Sequence, residues 1–157
     1  RWLAGEAEQL PLADASVDNA MAIEVLEHCP DPIAVMREAH RVMKPGGTFF
    51  FTVPFLWPLH DVPYDEHRYT PFAMERMLKD AGFTDAAVIP HGGWNASLAQ
   101  MIGLWVSRKP MSERRRAMLK RFTLPIVRKL LRSDSIGKLE HGPMITGLSG
   151  TAVKPAR

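Results

Sequence analysis

At 157 residues, 46% of them apolar and 24% charged, the chain can bury one domain core, and its composition excludes disorder and collagen-like repeats. The single cysteine, Cys29, excludes an intrachain disulfide and fits a reducing compartment, so a cytoplasmic protein is expected. The net charge of +3 is unevenly spread: between Arg108 and Arg132 lie Arg108, Lys109, Arg114, Arg115, Arg116, Lys120, Arg121, Arg128, Lys129 and Arg132 against Glu113 alone, which leaves the rest net acidic.

The first residues, Arg1-Trp2-Leu3-Ala4-Gly5, read as the tail of a strand entering a loop, with neither an initiator methionine nor a signal-peptide layout. Leu10 to Ser16 is a connection, and Val17 to Ile23 is the first clear strand. Asp31 before Pro32 is the cap and first residue of a helix whose Val35, Met36, Ala39, Val42 and Met43 face inward; Lys44-Pro45-Gly46-Gly47 ends it. Thr48 to Val53 is a continuous β-rich run, expected to be central and covered on both faces.

Thr70-Pro71 opens a second helix with Met74, Met77, Leu78 and Ala81 inward and Gly82 as its left-handed cap, after which Phe83 to Pro90 returns as a strand. Trp94, Leu98, Met101, Ile102 and Trp105 form a stripe at helical spacing, expected to pack on a sheet face. The basic stretch follows, with Pro125 expected to kink a continuous helix, and Gly150 to Pro155 reads as a last strand. The resulting division is 1–109 for the main domain, 110–143 for a basic helical insertion, and 144–157 for the last strand and tail. Strands alternating with helices give an α/β fold with a mostly parallel sheet.

Taken in series, Gly5 to Pro11, Ser16-Val17-Asp18, Glu24-Val25-Leu26-Glu27-His28 and the helix running into Lys44-Pro45-Gly46-Gly47 resemble the second half of the type 11 family of class I S-adenosylmethionine-dependent methyltransferases. His60-Asp61-Val62-Pro63-Tyr64-Asp65-Glu66-His67-Arg68-Tyr69-Thr70, before a helix ending in Ala81-Gly82-Phe83, continues the likeness to about residue 90. The resemblance implies an incomplete Rossmann-like fold: the C-terminal portion of the sheet, closed by a final antiparallel strand. The family's glycine-rich cofactor loop has no counterpart, since no two of the eleven glycines stand in GxG spacing. The chain therefore reads as the C-terminal part of a domain, impaired in holding S-adenosylmethionine by itself.

In such a fold, ligands lie beyond the carboxyl ends of the strands. The resemblance implies that Glu6 accepts from the adenine amino group while the Ala7 amide meets the ring, and that Glu24 and Val25 run along the methionine and ribose portion. Glu24, Glu27 and His28 form an ExxEH pattern resembling a magnesium-associated motif of ubiquinone-type O-methyltransferases; helix capping and loop orientation are the alternative, and no metal is the primary expectation.

Pro54 and Phe55, where proline must stop the strand, and Trp57, Tyr64, Arg68 and Tyr69 are the candidate substrate contacts. Arg68 suits an anionic substrate group, or a tie to Asp61 or Asp65. His60 and His67 are the candidate bases for an oxygen nucleophile, with loop-stabilising hydrogen bonds as the alternative.

The expected activity is methyl transfer, with O-methylation foremost, to a small-molecule acceptor. Two alternatives stand beside it: a noncatalytic remnant or subunit that completes a site with another chain, and contact with a membrane surface through 112–132, where cations alternate with apolar residues. No nucleic-acid partner is expected, because Phe122 is the only aromatic inside the basic stretch.

Overall fold

The computed structural model describes residues 4–156, so the strand tail expected at Arg1 to Leu3 lies outside the described residues. The chain divides into two compact units, Arg1–Ile89 with Gly147–Arg157, and Pro90–Thr146.

The first unit is built on a sheet of β1 (Ala20–Ile23), β2 (Thr48–Pro54), β3 (Thr84–His91, whose last two residues belong to the second unit) and β4 (Gly147–Val153), in the order β1-β2-β4-β3. β1 runs parallel to β2 in the register Ala20 to Phe49 and Ile23 to Thr52, and β4 runs antiparallel to β2, Thr48 facing Val153 and Pro54 facing Gly147. The expected antiparallel closing strand is thus present. The first strand is shorter than expected, starting at Ala20 instead of Val17. Val17 forms its own bridge to Met43, while the Asp18 and Asn19 side chains take Lys44 Nζ at 2.7 Å and the Thr48 amide at 2.9 Å.

Helices α1 (Pro32–Val42) and α2 (Pro71–Asp80) begin where the capping chemistry places them. The Asp31 carboxylate accepts from the Ala34 amide at 3.0 Å and the Thr70 hydroxyl from the Ala73 amide at 3.2 Å, each followed by proline at the first helical position, where no amide is needed. A Cβ on Gly47 would stand 2.3 Å from the Asp18 carbonyl, so the turn after α1 admits only glycine there. Arg41 on the last turn of α1 ties down the segment before β1, bonding Glu38, Asp14 and the Leu12 carbonyl, while Glu38 accepts from the Leu10 amide at 2.7 Å.

The core joins Phe49, Phe51 and Val53 of β2 to Met36 and Val42 of α1, Met74 and Leu78 of α2, and Leu148 and Ala152 of β4, all fully buried. Phe49 stacks on Phe51 and on Phe83, with ring centroids 6.2 and 5.4 Å apart. β4 can pass beside Phe51 only because Gly150 lacks a side chain; a Cβ there would sit 2.5 Å from the Phe51 ring. The expectation that β2 is covered on both faces is corrected: burial alternates, with Phe49, Phe51 and Val53 buried and Phe50 and Thr52 half-buried.

The second unit contains α3 (Trp94–Arg108) and α4 (Glu113–Arg132), an antiparallel pair. At one end Arg116 donates to the Val106 and Ser107 carbonyls; at the other the Asp134 carboxylate caps α3, accepting from the Gly93 and Ala96 amides at 2.8 Å each.

One expectation is corrected in this unit. Of the apolar stripe assigned to core packing, Trp94, Leu98, Met101 and Trp105 are exposed and Ile102 half-buried, because α3 buries Ser97, Ala99 and Val106 instead. α4 continues through Pro125 for 20 residues. The proline is exposed, so the Arg121 carbonyl that its ring leaves unpaired is open to water.

One-sided burial of β2 makes a testable distinction. Phe51→Ala is expected to cost about 3–5 kcal/mol in urea unfolding and Phe50→Ala about half of that or less. Equal costs would show that both faces of the strand are packed.

Candidate active site

Because β1 and β2 are parallel, their carboxyl ends open at the same edge of the sheet, and the Glu24 amide bonds the Thr52 carbonyl at 3.0 Å there. Glu24 turns the chain out of β1 with a left-handed φ of 52°. A single 3₁₀ turn, Leu26–His28, then buries Leu26 and Glu27 completely. The loop after β2 folds over this turn: the Glu27 carbonyl accepts from the Glu66 amide at 2.9 Å and the His67 amide at 3.1 Å, and the Tyr69 hydroxyl donates to the Leu26 carbonyl at 2.6 Å.

Both Glu27 carboxylate oxygens are buried without a hydrogen-bond partner among the described residues. Two imidazoles face them, His28 Nε2 at 3.7 Å and His60 Nε2 at 3.9 Å from Oε1, and the rings meet edge to face with centroids 4.7 Å apart. Burial pushes the Glu27 carboxyl above its ordinary value of 4.5, and the nearby charge of Glu24 adds to it.

The other ring nitrogens fix both tautomers. His28 Nδ1 lies 3.0 Å from the Tyr64 carbonyl, which can only accept, and His60 Nδ1 lies 3.2 Å from Asp65 Oδ2. The Arg68 guanidinium, paired with Asp65 at 2.6 and 2.8 Å, holds that carboxyl far below the usual carboxylate range. Asp65 therefore stays ionised and accepts the Nδ1 proton. Both Nε2 lone pairs are left turned toward Glu27.

The residues expected to form the site are placed as follows. Glu27, His28 and His60 come together, their ligand atoms all within 4.8 Å of one another. Glu24, the remaining member of the ExxEH pattern weighed as an alternative to no metal, is exposed and outside that group, and His60 stands with Glu27 and His28 instead; an N₂O donor set of this kind suits a borderline cation better than magnesium.

His67 is not in the group: its Nε2 is buried without a partner among the described residues, and its ring lies 5.7 Å from that of Tyr69. Arg68 is committed to Asp65 and to the His67 carbonyl, which is the loop tie and not an open anion contact; Asp61, the other acid weighed for it, lies 3.9 Å from His28 Nε2. Tyr69 is buried with its hydroxyl used, and burial pushes that phenol up.

Pro54 is buried, Phe55 half-buried, and Trp57, Tyr64 and Val25 are exposed around the group. Glu6 is exposed on a tight turn closed by the Gln9 amide, with Ala7 half-buried beside it. Sequence reasoning missed Asp65 as the residue that orients His60, although its position five residues away in a histidine-rich loop was available as a signal.

Residues 1–51 match the family model described as a methyltransferase domain. The chain is 46% identical over 59 residues to the ubiquinone/menaquinone biosynthesis C-methyltransferase UbiE of Rubrivivax gelatinosus, covering 36% of this chain and 24% of that protein. It is 32% identical over 124 residues to an uncharacterized methyltransferase of Mycobacterium sp. strain JLS, covering 70% of this chain and 49% of that one. It therefore spans between a quarter and a half of the length of these relatives.

Among solved structures, phosphoethanolamine N-methyltransferase 2 of Haemonchus contortus in complex with S-adenosyl-L-methionine superposes with a TM-score of 0.55 at 14% identity, over 96% of this chain and 36% of that one. The parallel strand tips, the antiparallel closing strand and the matched segment agree: the sheet is Rossmann-like, as in class I methyltransferases, and residues 1–51 are similar to the type 11 methyltransferase domain.

Proposed function

We propose that the chain provides the acceptor side of an S-adenosylmethionine-dependent methyltransferase that methylates an oxygen of a small molecule. The convergence of Glu27, His28 and His60 beyond the carboxyl ends of β1 and β2 carries this reading, because a sulfonium brings its own leaving group and the protein must chiefly align the acceptor and take its proton.

The residues present fit part of the cofactor. Glu6 and Ala7 suit the adenine, and Glu24 and Val25, at the tip of β1, suit the methionine and ribose portion; a glycine-rich loop is absent from these 157 residues. When bound, the cofactor supplies an electrophilic methyl group. His60 Nε2 would take the acceptor proton when the methyl leaves the sulfonium, whose sulfur departs as a thioether, while Asp65 holds the imidazole in the required tautomer and Arg68 holds Asp65. Glu27 lies 3.9 Å from the same nitrogen and stabilises the imidazolium that results. Trp57 and Tyr64, exposed beside this group, wall the acceptor.

A second reading has its own support. Each histidine donates Nδ1–H to a fixed acceptor and turns Nε2 to a carboxylate, the arrangement typical of metal-bound imidazoles, so the same three atoms suit a divalent cation that would polarise the acceptor oxygen.

Two measurements test the proposal. Calorimetric titration of the 157-residue chain with S-adenosylmethionine is expected to show weak binding, with Kd above about 100 μM; micromolar affinity would show that the glycine-rich loop is dispensable. At saturating cofactor, His60→Ala is expected to lower kcat by about 10²–10⁴-fold while leaving the cofactor Kd unchanged, and unchanged turnover would remove His60 from the chemistry.

A further inference from the structure

Hydrogen bonding within the chain leaves the group at the tips of β1 and β2 unbalanced. Glu27 is fully buried, and both its carboxylate oxygens lack a partner among the described residues. His28 Nε2 and His60 Nε2 stand 3.7 and 3.9 Å from Oε1, too far for either ring to hydrogen-bond it. Each ring directs its Nδ1 proton elsewhere, to the Tyr64 carbonyl at 3.0 Å and to Asp65 Oδ2 at 3.2 Å. Three electron-pair donors therefore converge within 4.8 Å of one another. Such a convergence is repulsive unless a cation stands among the donors.

The donor set selects the cation. Two imidazole nitrogens and one carboxylate oxygen suit zinc and its neighbours in the first transition row, whereas magnesium and calcium favour shells of oxygen. Bonds of about 2.0–2.1 Å to a tetrahedral centre place its ligand atoms roughly 3.3–3.4 Å apart, so the group needs to contract by only about half an ångström. Both rings already have the outer contact that metal-bound imidazoles use, an acceptor on Nδ1, and Arg68 fixes one of these acceptors by pairing with Asp65.

The donors come from two segments. Glu27 and His28 lie on the turn after β1, and His60 lies on the loop after β2. We infer that Glu27, His28 and His60 bind a zinc-class divalent cation without S-adenosylmethionine or acceptor, and that this cation fastens the loop after β2 to the turn after β1. The cation shares these three atoms with the divalent-cation reading given above, but its role in joining two segments does not require methyl transfer.

Titration of the whole 157-residue chain, stripped with a chelator and free of cofactor, tests this with cobalt(II), zinc and magnesium. Cobalt is expected to bind one per chain with a visible absorption band, and zinc to displace it. Zinc at about 100 times its Kd should lower the unfolding constant about 100-fold in urea, and millimolar magnesium should do neither. Asp65→Asn is expected to weaken zinc by about 10–100-fold through loss of the contact that orients His60, and His141→Ala to leave it unchanged.

The parent chain supplies a readout that needs no variant: zinc should shift the Nε2 resonances of His28 and His60 and spare those of His91 and His141. Zinc affinity weaker than about 100 μM, magnesium competing equally, unshifted Nε2 resonances, or full zinc binding in the Glu27→Gln, His60→Ala double variant would each overturn the inference. None of these readouts involves turnover, so they stand or fall separately from the effect of His60→Ala on kcat.

Discussion

A carboxylate buried with no hydrogen-bond partner is the constraint around which the first unit is arranged. Glu27 has no exposed surface, and burying an ionised carboxylate is costly unless something compensates. Its carbonyl accepts two amides from the loop after β2, which ties that loop to the turn carrying Glu27. The imidazoles facing it turn Nε2 lone pairs toward the carboxylate and offer it no hydrogen bond, and burial pushes the carboxyl up. Ionisation of Glu27 therefore opposes folding, increasingly so as pH rises through its raised value. Asp65 works in the opposite sense: held low by Arg68, it contributes stability that is lost as pH falls through its depressed value.

The fold makes this arrangement possible through two strand ends. Parallel pairing brings the exits of β1 and β2 to one edge; the left-handed turn at Glu24 and the 3₁₀ turn drive Glu27 inward, and Pro54 releases the chain into the loop that carries His60, Asp65 and Arg68. The core beneath is apolar and tight, with Phe51 packed against a glycine of β4. The candidate site thus sits on loops whose ends are held by the sheet.

Much of this was legible in the sequence where local chemistry decides. Asp31-Pro32 and Thr70-Pro71 start helices for reasons confined to a few residues, and the Lys-Pro-Gly-Gly turn ends one for the same kind of reason. What the sequence left obscure depends on tertiary placement. Periodicity showed that α3 has an apolar side, but not that Ala99 and Val106 would be buried and the tryptophans exposed. The ExxEH pattern contains Glu27 and His28, yet only the folded loop brings His60 beside them, with Glu24 outside the group.

The central claim is that fixed acceptors on Nδ1 leave both imidazoles with Nε2 lone pairs directed at Glu27. Nitrogen-15 chemical shifts of the imidazole nitrogens of His28 and His60, followed across a pH series, test it most directly. The account predicts that Nδ1 carries the proton in both rings and that Nε2 is unprotonated. A dominant Nε2–H tautomer in either ring would contradict it.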